Sequence, residues 1–308
     1  MVAMFARLIS WLRNVYDKDY KKLLLIPLFI ILASVAIIAF NYAATGEFFK
    51  KDVSLKGGIT ITVFSEKSIN SEQLQSELAS GLKRDVAVRI LSQSGSQTGF
   101  AVEADGTEND VAAVLDALQS KVGKLDPEQY SVQVIGSTLS ESFLKEAGIA
   151  LLIAFLLMGV AVLLYFRVIV PSLFVISAAF SDILSTFAVM IFLKEPLSTA
   201  GLAAFLMLIG YSVDTDILLT SRVLRGKEGT VFERTVGAMK TGLFMTLTAL
   251  AATLSGLMFA QAETIRQIML VLSIGLVFDM IHTWFTNAGV LRWYLERKER
   301  KKSRGSAE

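Results

Sequence analysis

The chain has 308 residues, of which 53% are hydrophobic and 19% charged. A soluble domain averages about 25% charged residues, so the composition argues against an ordinary soluble enzyme. The absence of cysteine excludes thiol catalysis, CxxC redox chemistry and cysteine-held metals. The lone histidine, His282, excludes His-rich metal centres and argues against a His-based triad.

Residues 1–22 form a basic N-terminal segment. Within it, 4–15 place Phe5, Leu8, Ile9, Leu12 and Val15 on one face, beside Arg7 and Arg13. The segment reads either as an amphipathic helix on the cytoplasmic membrane surface or as a plain lead-in to the first span. A spanning helix needs about 20 apolar residues, and 23–42 supplies them without a charge. That stretch is too long for the apolar core of a signal peptide, about 7–15 residues, so it reads as an anchor.

Residues 43–146 have ordinary soluble composition. Ile59 to Phe64 alternates as a strand does. Ser71 to Leu82 carries Leu74, Leu78 and Leu82 at helical spacing. Val86 to Leu91 reads as a strand, the run SQSGSQTG as a turn, and Phe100 to Ala104 as the next strand. Asn109 to Lys121 is helical in pattern, and Ser131 to Ile135 closes the domain. The order β-α-β-β-α-β is the split-βαβ, ferredoxin-like arrangement. Gly57-Gly58 is too little for a phosphate loop and no metal-ligand spacing occurs, so a binding or handling module is expected rather than a catalytic one.

Residues 147–291 hold five further apolar stretches, at 148–166, 168–193, 197–221, 241–262 and 267–291. Lys and Arg concentrate before the first span, between the fourth and fifth (Arg222, Arg225, Lys227, Arg234, Lys240), and in the tail 292–308. The opposite loops hold only Lys194 and Arg266. The positive-inside rule then places both termini in the cytoplasm and 43–146 outside. The expected fold is a membrane all-α bundle of six helices, with an extracytoplasmic α+β ferredoxin-like domain between helices 1 and 2.

Ionisable groups inside the bilayer are costly and are functional candidates. There are four acids at such depth: Asp182, Asp214, Asp216 and Asp279, with no Lys or Arg at comparable depth. Acids that gain and lose a proton are what a proton pathway needs. The alternative for Asp182 is a plain hydrogen bond to a neighbouring helix. Asp214 and Asp216 are two apart, so a regular helix points them to nearly opposite faces; one is then structural, with Thr220 a partner for Asp216. Asp279 and His282 share a face and form a possible pair. We place Asp214 first, because Gly210 and Ser221 give its stripe room for another helix, with Asp182 and Asp279 as helpers and Asp216 next. In the fifth stretch Gly242, Ala249 and Gly256 recur every seven residues beside Thr241, Thr248 and Ser255, a pattern that lets helices approach and hydroxyls bond across them.

Three motifs carry a resemblance. Asp52-Val-Ser-Leu-Lys-Gly57-Gly58 resembles a D-x-x-GG element, with Ser54 where the acid nearest the glycines often stands. Phe180-Ser181-Asp182 resembles A-H-D, with serine for histidine. Gly210-Tyr-Ser-Val-Asp214-Thr-Asp216, followed by Ser221-Arg222, resembles G-Y-S-x-N-D-T followed by D-R. Together with the span order they resemble the SecD/SecF family of protein-export membrane proteins, a half-unit of the RND-like superfamily. The usual Asp of the third motif is Thr215 here, and Asp214 matches the Asp of a V-D-x-N version, a departure similar to the archaeal branch. Arg234 and Lys240 are candidates for the family's basic residue near helix five.

The resemblance implies an accessory subunit that pairs with SecD, acts near the SecY channel, and uses the proton gradient to draw a translocating preprotein outward across the lipid bilayer. It implies no cofactor, no metal and no nucleic-acid partner. Two rivals are weighed. An intramembrane aspartyl protease needs two facing membrane acids, but the Y-D, G-x-G-D and P-A-L elements are missing. A proton-driven RND-type solute or lipid exporter shares the buried acids, yet usually fuses two such halves with two large outside domains.

Overall fold

The computed structural model describes residues 20–65, 69–93, 96–226, 228–260 and 262–305. The amphipathic reading of 4–15 therefore lies outside the described residues. A short helical turn, Tyr20–Leu23, leads into α1 (Leu25–Thr45). That helix ends at Gly46, whose φ of 75° is left-handed and whose N–H returns to the Tyr42 carbonyl, a glycine C-cap. Asn41 Nδ2 then donates to the carbonyls of Glu47 and Phe48 at 2.9 and 3.2 Å, folding the exit back on the helix.

The strap after α1 is held to the membrane part by backbone. Asp52 N–H donates to the Leu197 carbonyl at 2.9 Å, and Leu197 N–H donates to the Lys50 carbonyl at 2.8 Å. A single helical turn, Val53–Lys56, delivers the chain to Gly57 and Gly58. Their φ values are 82° and 136°, and a Cβ on Gly58 would sit 2.7 Å from the Ala104 carbonyl oxygen. Only glycine meets both conditions, so the Gly-Gly element has a local structural cause.

The sheet comprises β1 (Gly58–Phe64), β2 (Val86–Gln93), β3 (Ser96–Ala104) and β4 (Tyr130–Ile135). Its order is β2-β3-β1-β4 and every pairing is antiparallel. Ile61 stands opposite Val102 on one side and Val132 on the other. Alternation sends Ile59, Ile61 and Val63 to one buried face, where α2 (Ser71–Leu82) and α3 (Val111–Val122) cover them with Leu74, Leu78, Val114 and Leu118. The run SQSGSQTG is not a simple turn: the ladder continues to Gln93 opposite Ser96, with a bulge at Leu91/Ser92. Polar side chains there do not stop the backbone from pairing.

The long helix α4 (Ser137–Phe166) starts directly after β4, so it crosses the boundary expected at 146/147. Then follow α5 (Ile169–Phe192), α6 (Thr199–Arg225), α7 (Val231–Phe259) and α8 (Glu263–Ile281). Helix α8 continues through a π-helical turn, His282–Asn287, into a last segment, Ala288–Gly305. Thr230 and Glu233 form a reciprocal capping box that starts α7. Among the described residues, six helices are long and apolar enough to cross a membrane. Helices α5, α6 and α8 form the interior. Helices α1, α4 and α7 turn large apolar side chains outward, among them Phe29, Leu157, Leu164 and Phe244, as lipid-facing helices do.

Candidate functional site: a buried acidic cluster between α5, α6 and α8

Asp182, Asp216 and Asp279 are fully buried and lie on three different helices. His282 Nδ1 is 2.6 Å from Asp182 Oδ1, and Ser212 Oγ donates to the other oxygen, Oδ2, at 2.6 Å. Asp216 Oδ1 accepts from Thr283 Oγ at 2.8 Å and from Asn287 Nδ2 at 2.7 Å. Thr283 Oγ also lies 3.2 Å from Asp279 Oδ1. The partners described are hydroxyls, an amide and an imidazole; no Lys or Arg is among them.

The His282 N–H still bonds the Phe278 carbonyl as in a regular helix, so His282 stands at the mouth of the π-turn and addresses α5, while Thr283 and Asn287 within the turn both address Asp216 on α6. Such turns recur at functional sites.

The hydroxyls constrain where protons reside. Thr283 has one hydroxyl hydrogen and can donate it to only one of two carboxyl groups at a time. Both contacts form together only when one carboxyl carries its own hydrogen and donates to Thr283 Oγ. Asp216 Oδ2 and Asp279 Oδ2 have no hydrogen-bond partner among the described residues. A buried polar atom without a partner is costly, and a buried charge is more costly still.

Several expectations are corrected. Asp214 lies exposed on the outer face of α6 and outside the cluster, and Asp216 is the helix's buried acid. The helix is continuous through both, which fixes them to different faces. Thr220 is buried but does not bond Asp216. His282 pairs with Asp182 and not with Asp279. Thr248 and Ser255 bond carbonyls of their own helix, at Phe244 and Ala251, instead of crossing to a neighbour. The crossing bond there is Ser273 to Thr253, at 2.9 Å. Gly242 does pack closely, with Trp284 lying over it.

The motif residues divide by place. Gly210 has open space beside it, next to exposed Tyr211 and Asp214. Arg222 donates to the Gly237 carbonyl at 2.8 Å, tying α6 to α7. Asp52 is at the outer seam, accepting from Arg89 Nη2 at 2.9 Å and from Ser54 Oγ at 3.1 Å. Ser54 Oγ in turn accepts from the Thr199 N–H at 3.0 Å.

Ser212, Thr283 and Asn287 were not singled out from the sequence. Asp279, Thr283 and Asn287 recur every four residues, a polar stripe in an apolar stretch that was available to be read. Among the described residues, no group of three or more His, Cys, Asp or Glu is arranged to hold a metal ion.

Residues 114–297 match the sequence profile of the protein export membrane protein SecD/SecF C-terminal family. The chain belongs to the SecD/SecF family. The protein-export membrane protein SecF of Pyrococcus furiosus is 39% identical over 291 residues, covering 94% of this chain and 96% of that one. That of Methanothermobacter thermautotrophicus is 39% identical over 284 residues, covering 91% and 94%. The crystal structure of SecDF, a translocon-associated membrane protein from Thermus thermophilus, superposes with a TM-score of 0.72 at 17% identity. That match covers 92% of this chain but 39% of SecDF, and it speaks for the fold alone. The SecD/SecF membership makes this a multi-pass membrane protein of the protein-export class, with relatives named as export components.

Proposed function

We propose that the chain is the accessory half that joins SecD at the Sec translocon and uses the proton gradient to help draw preproteins outward. The observation that carries the proton reading is the dry cluster Asp182–Asp216–Asp279, whose carboxyls share single-hydrogen hydroxyls and have no cationic partner described. A change in its proton count alters which arrangement of α5, α6 and α8 is stable, the local switch coupled to a bistable element that a machine requires. Asp216 is the principal carrier in this reading. Both termini are cytoplasmic, and the ferredoxin-like domain handles the emerging chain beyond the SecY channel.

Asp214 takes a different role. A carboxyl at mid-membrane facing acyl chains is expensive, so the uncovered stripe of Met207, Gly210, Tyr211 and Asp214 is the surface assigned to the SecD half. The 39% coverage of SecDF supports a second half of comparable kind.

Export into inverted membrane vesicles, with and without an imposed proton gradient, tests the reading. Asp216→Asn keeps the shape of a protonated acid but cannot ionise. It should assemble and lose gradient stimulation, whereas Asp214→Asn should keep the stimulation if SecD is bound. Unchanged stimulation in Asp216→Asn would sink the assignment. Copurified lipid or drug in place of SecD would favour an exporter.

A further inference from the structure

We propose that His282 and Asp182 form a second proton-holding site beside the Asp216–Asp279 pair. The proposal rests on the proton reading of the same cluster, and it assigns a role to the chain's one histidine.

The geometry separates two groups. Thr283 and Asn287 serve Asp216, and Thr283 also reaches Asp279. His282 serves Asp182 alone, at 2.6 Å, with 1% and 0% of the two side chains exposed. The imidazole is held flat by Phe278, whose ring stacks at 6.1 Å between centroids and 18° between planes. Its Nε2 is buried and has no partner among the described residues. An imidazole kept only for packing would need no ring nitrogen at a carboxylate. A neutral imidazole that donates from Nδ1 leaves Nε2 as an unpaired acceptor in a dry site, which is costly.

Ser212 completes the Asp182 side. Its hydroxyl donates to Asp182 Oδ2, and when Asp182 is a neutral acid its Oδ1 still accepts from His282 Nδ1–H. Nε2 gives the pair room for one proton more. The two nitrogens of histidine take such different parts readily.

The titratable and charged groups around the imidazole are few. Helix α5 presents Asp182, α6 presents Asp216, and α8 presents Asp279. Helix α1, which touches the π-turn, holds Tyr42 as its one ionisable residue, and Lys22 in the turn before it is exposed.

A single histidine in 308 residues makes a direct test possible. The full chain, made without a histidine tag and with 15N-labelled histidine, is placed in lipid nanodiscs, and its imidazole signals are followed from about pH 5 to 9, the range in which histidine changes charge. The expected result is a reversible protonation whose midpoint moves by about one pH unit or more in Asp182→Asn, as for strongly interacting sites. An imidazole that keeps one neutral form throughout would overturn the proposal, as would a titration that ignores Asp182. His282→Gln can still donate to Asp182 but cannot take a proton; full gradient-driven export by it would overturn the proposal. The spectroscopic result stands whether or not export depends on the gradient, so failure here and failure of the functional reading are distinguishable.

Discussion

Arg89, on β2 of the sheet domain, donates through Nη2 to Asp52, on the strap that leaves α1, at 2.9 Å. The same guanidinium pairs with Glu103 on β3 and lies 3.6 Å from Glu263 at the start of α8. One side chain therefore links the sheet, the strap and a membrane helix. Replacing it leaves partly buried acids without a cation. Arg89→Met should cost about 1–3 kcal/mol, below the range for a fully buried pair because the groups are partly wetted. It should also loosen the docking of the outside domain. Limited proteolysis in the strap, 46–57, measures this; cleavage as slow as wild type would show that backbone bonds alone hold the domain.

Gly58 should not tolerate a side chain. Gly58→Ala meets a left-handed φ and a carbonyl oxygen together, and strain of this type costs on the order of 1–3 kcal/mol. The expected outcome is a lowered thermal midpoint for the outside domain with the membrane helices intact, read by near-UV circular dichroism.

Helix α7 offers a graded pair. A Cβ on Gly242 would lie 2.5 Å from the Trp284 ring, whereas Ala249 is only half-buried. Overpacking costs about 1–3 kcal/mol where the surroundings cannot yield. Gly242→Leu should lower thermal stability clearly, and Ala249→Leu less within the chain but measurably in yield of complex with SecD. Equal effects would mean that Ala249 lies in the interior seam and not at a partner face.

The outside domain should weaken in acid. Arg84 donates to Asp110 at 2.7 Å, and the Thr107 N–H donates to it at 2.8 Å. The Arg84 bond first, and the Thr107 bond next, hold the Asp110 carboxyl well below the usual carboxylate range. A depressed acid contributes stability that is present above its unfolded value, near 3.9, and is lost as pH falls through the folded one. The domain's thermal midpoint should drop below about pH 4, and Asp110→Asn should flatten that dependence. A wild-type slope in the variant would assign the acid sensitivity elsewhere.

The outside domain was legible because its signals are local. The alternation of Ile59, Ile61 and Val63 and the spacing of Leu74 and Leu78 state which face is buried, and the structure buries those residues. The extension of β3 back to Ser96 was hidden because pairing is a backbone property and the side chains there are turn-formers. In the membrane, sequence fixed the opposition of Asp214 and Asp216 but not which one turns inward, because that depends on how α6 sits against α5 and α8. The pairing of His282 was hidden for a related reason: periodicity puts it on a face with Asp279 but does not say which neighbouring helix offers a carboxyl, and α5 brings Asp182 to 2.6 Å.

Asp214 also bears on how the subunit is made. In the proposed pairing, a copy released into the bilayer ahead of its companion would keep a carboxyl against acyl chains, and insertion of a charged group at that depth is penalised. Matched supply of the two halves would then be a condition of biogenesis, an orphan copy being marked by its own uncovered acid.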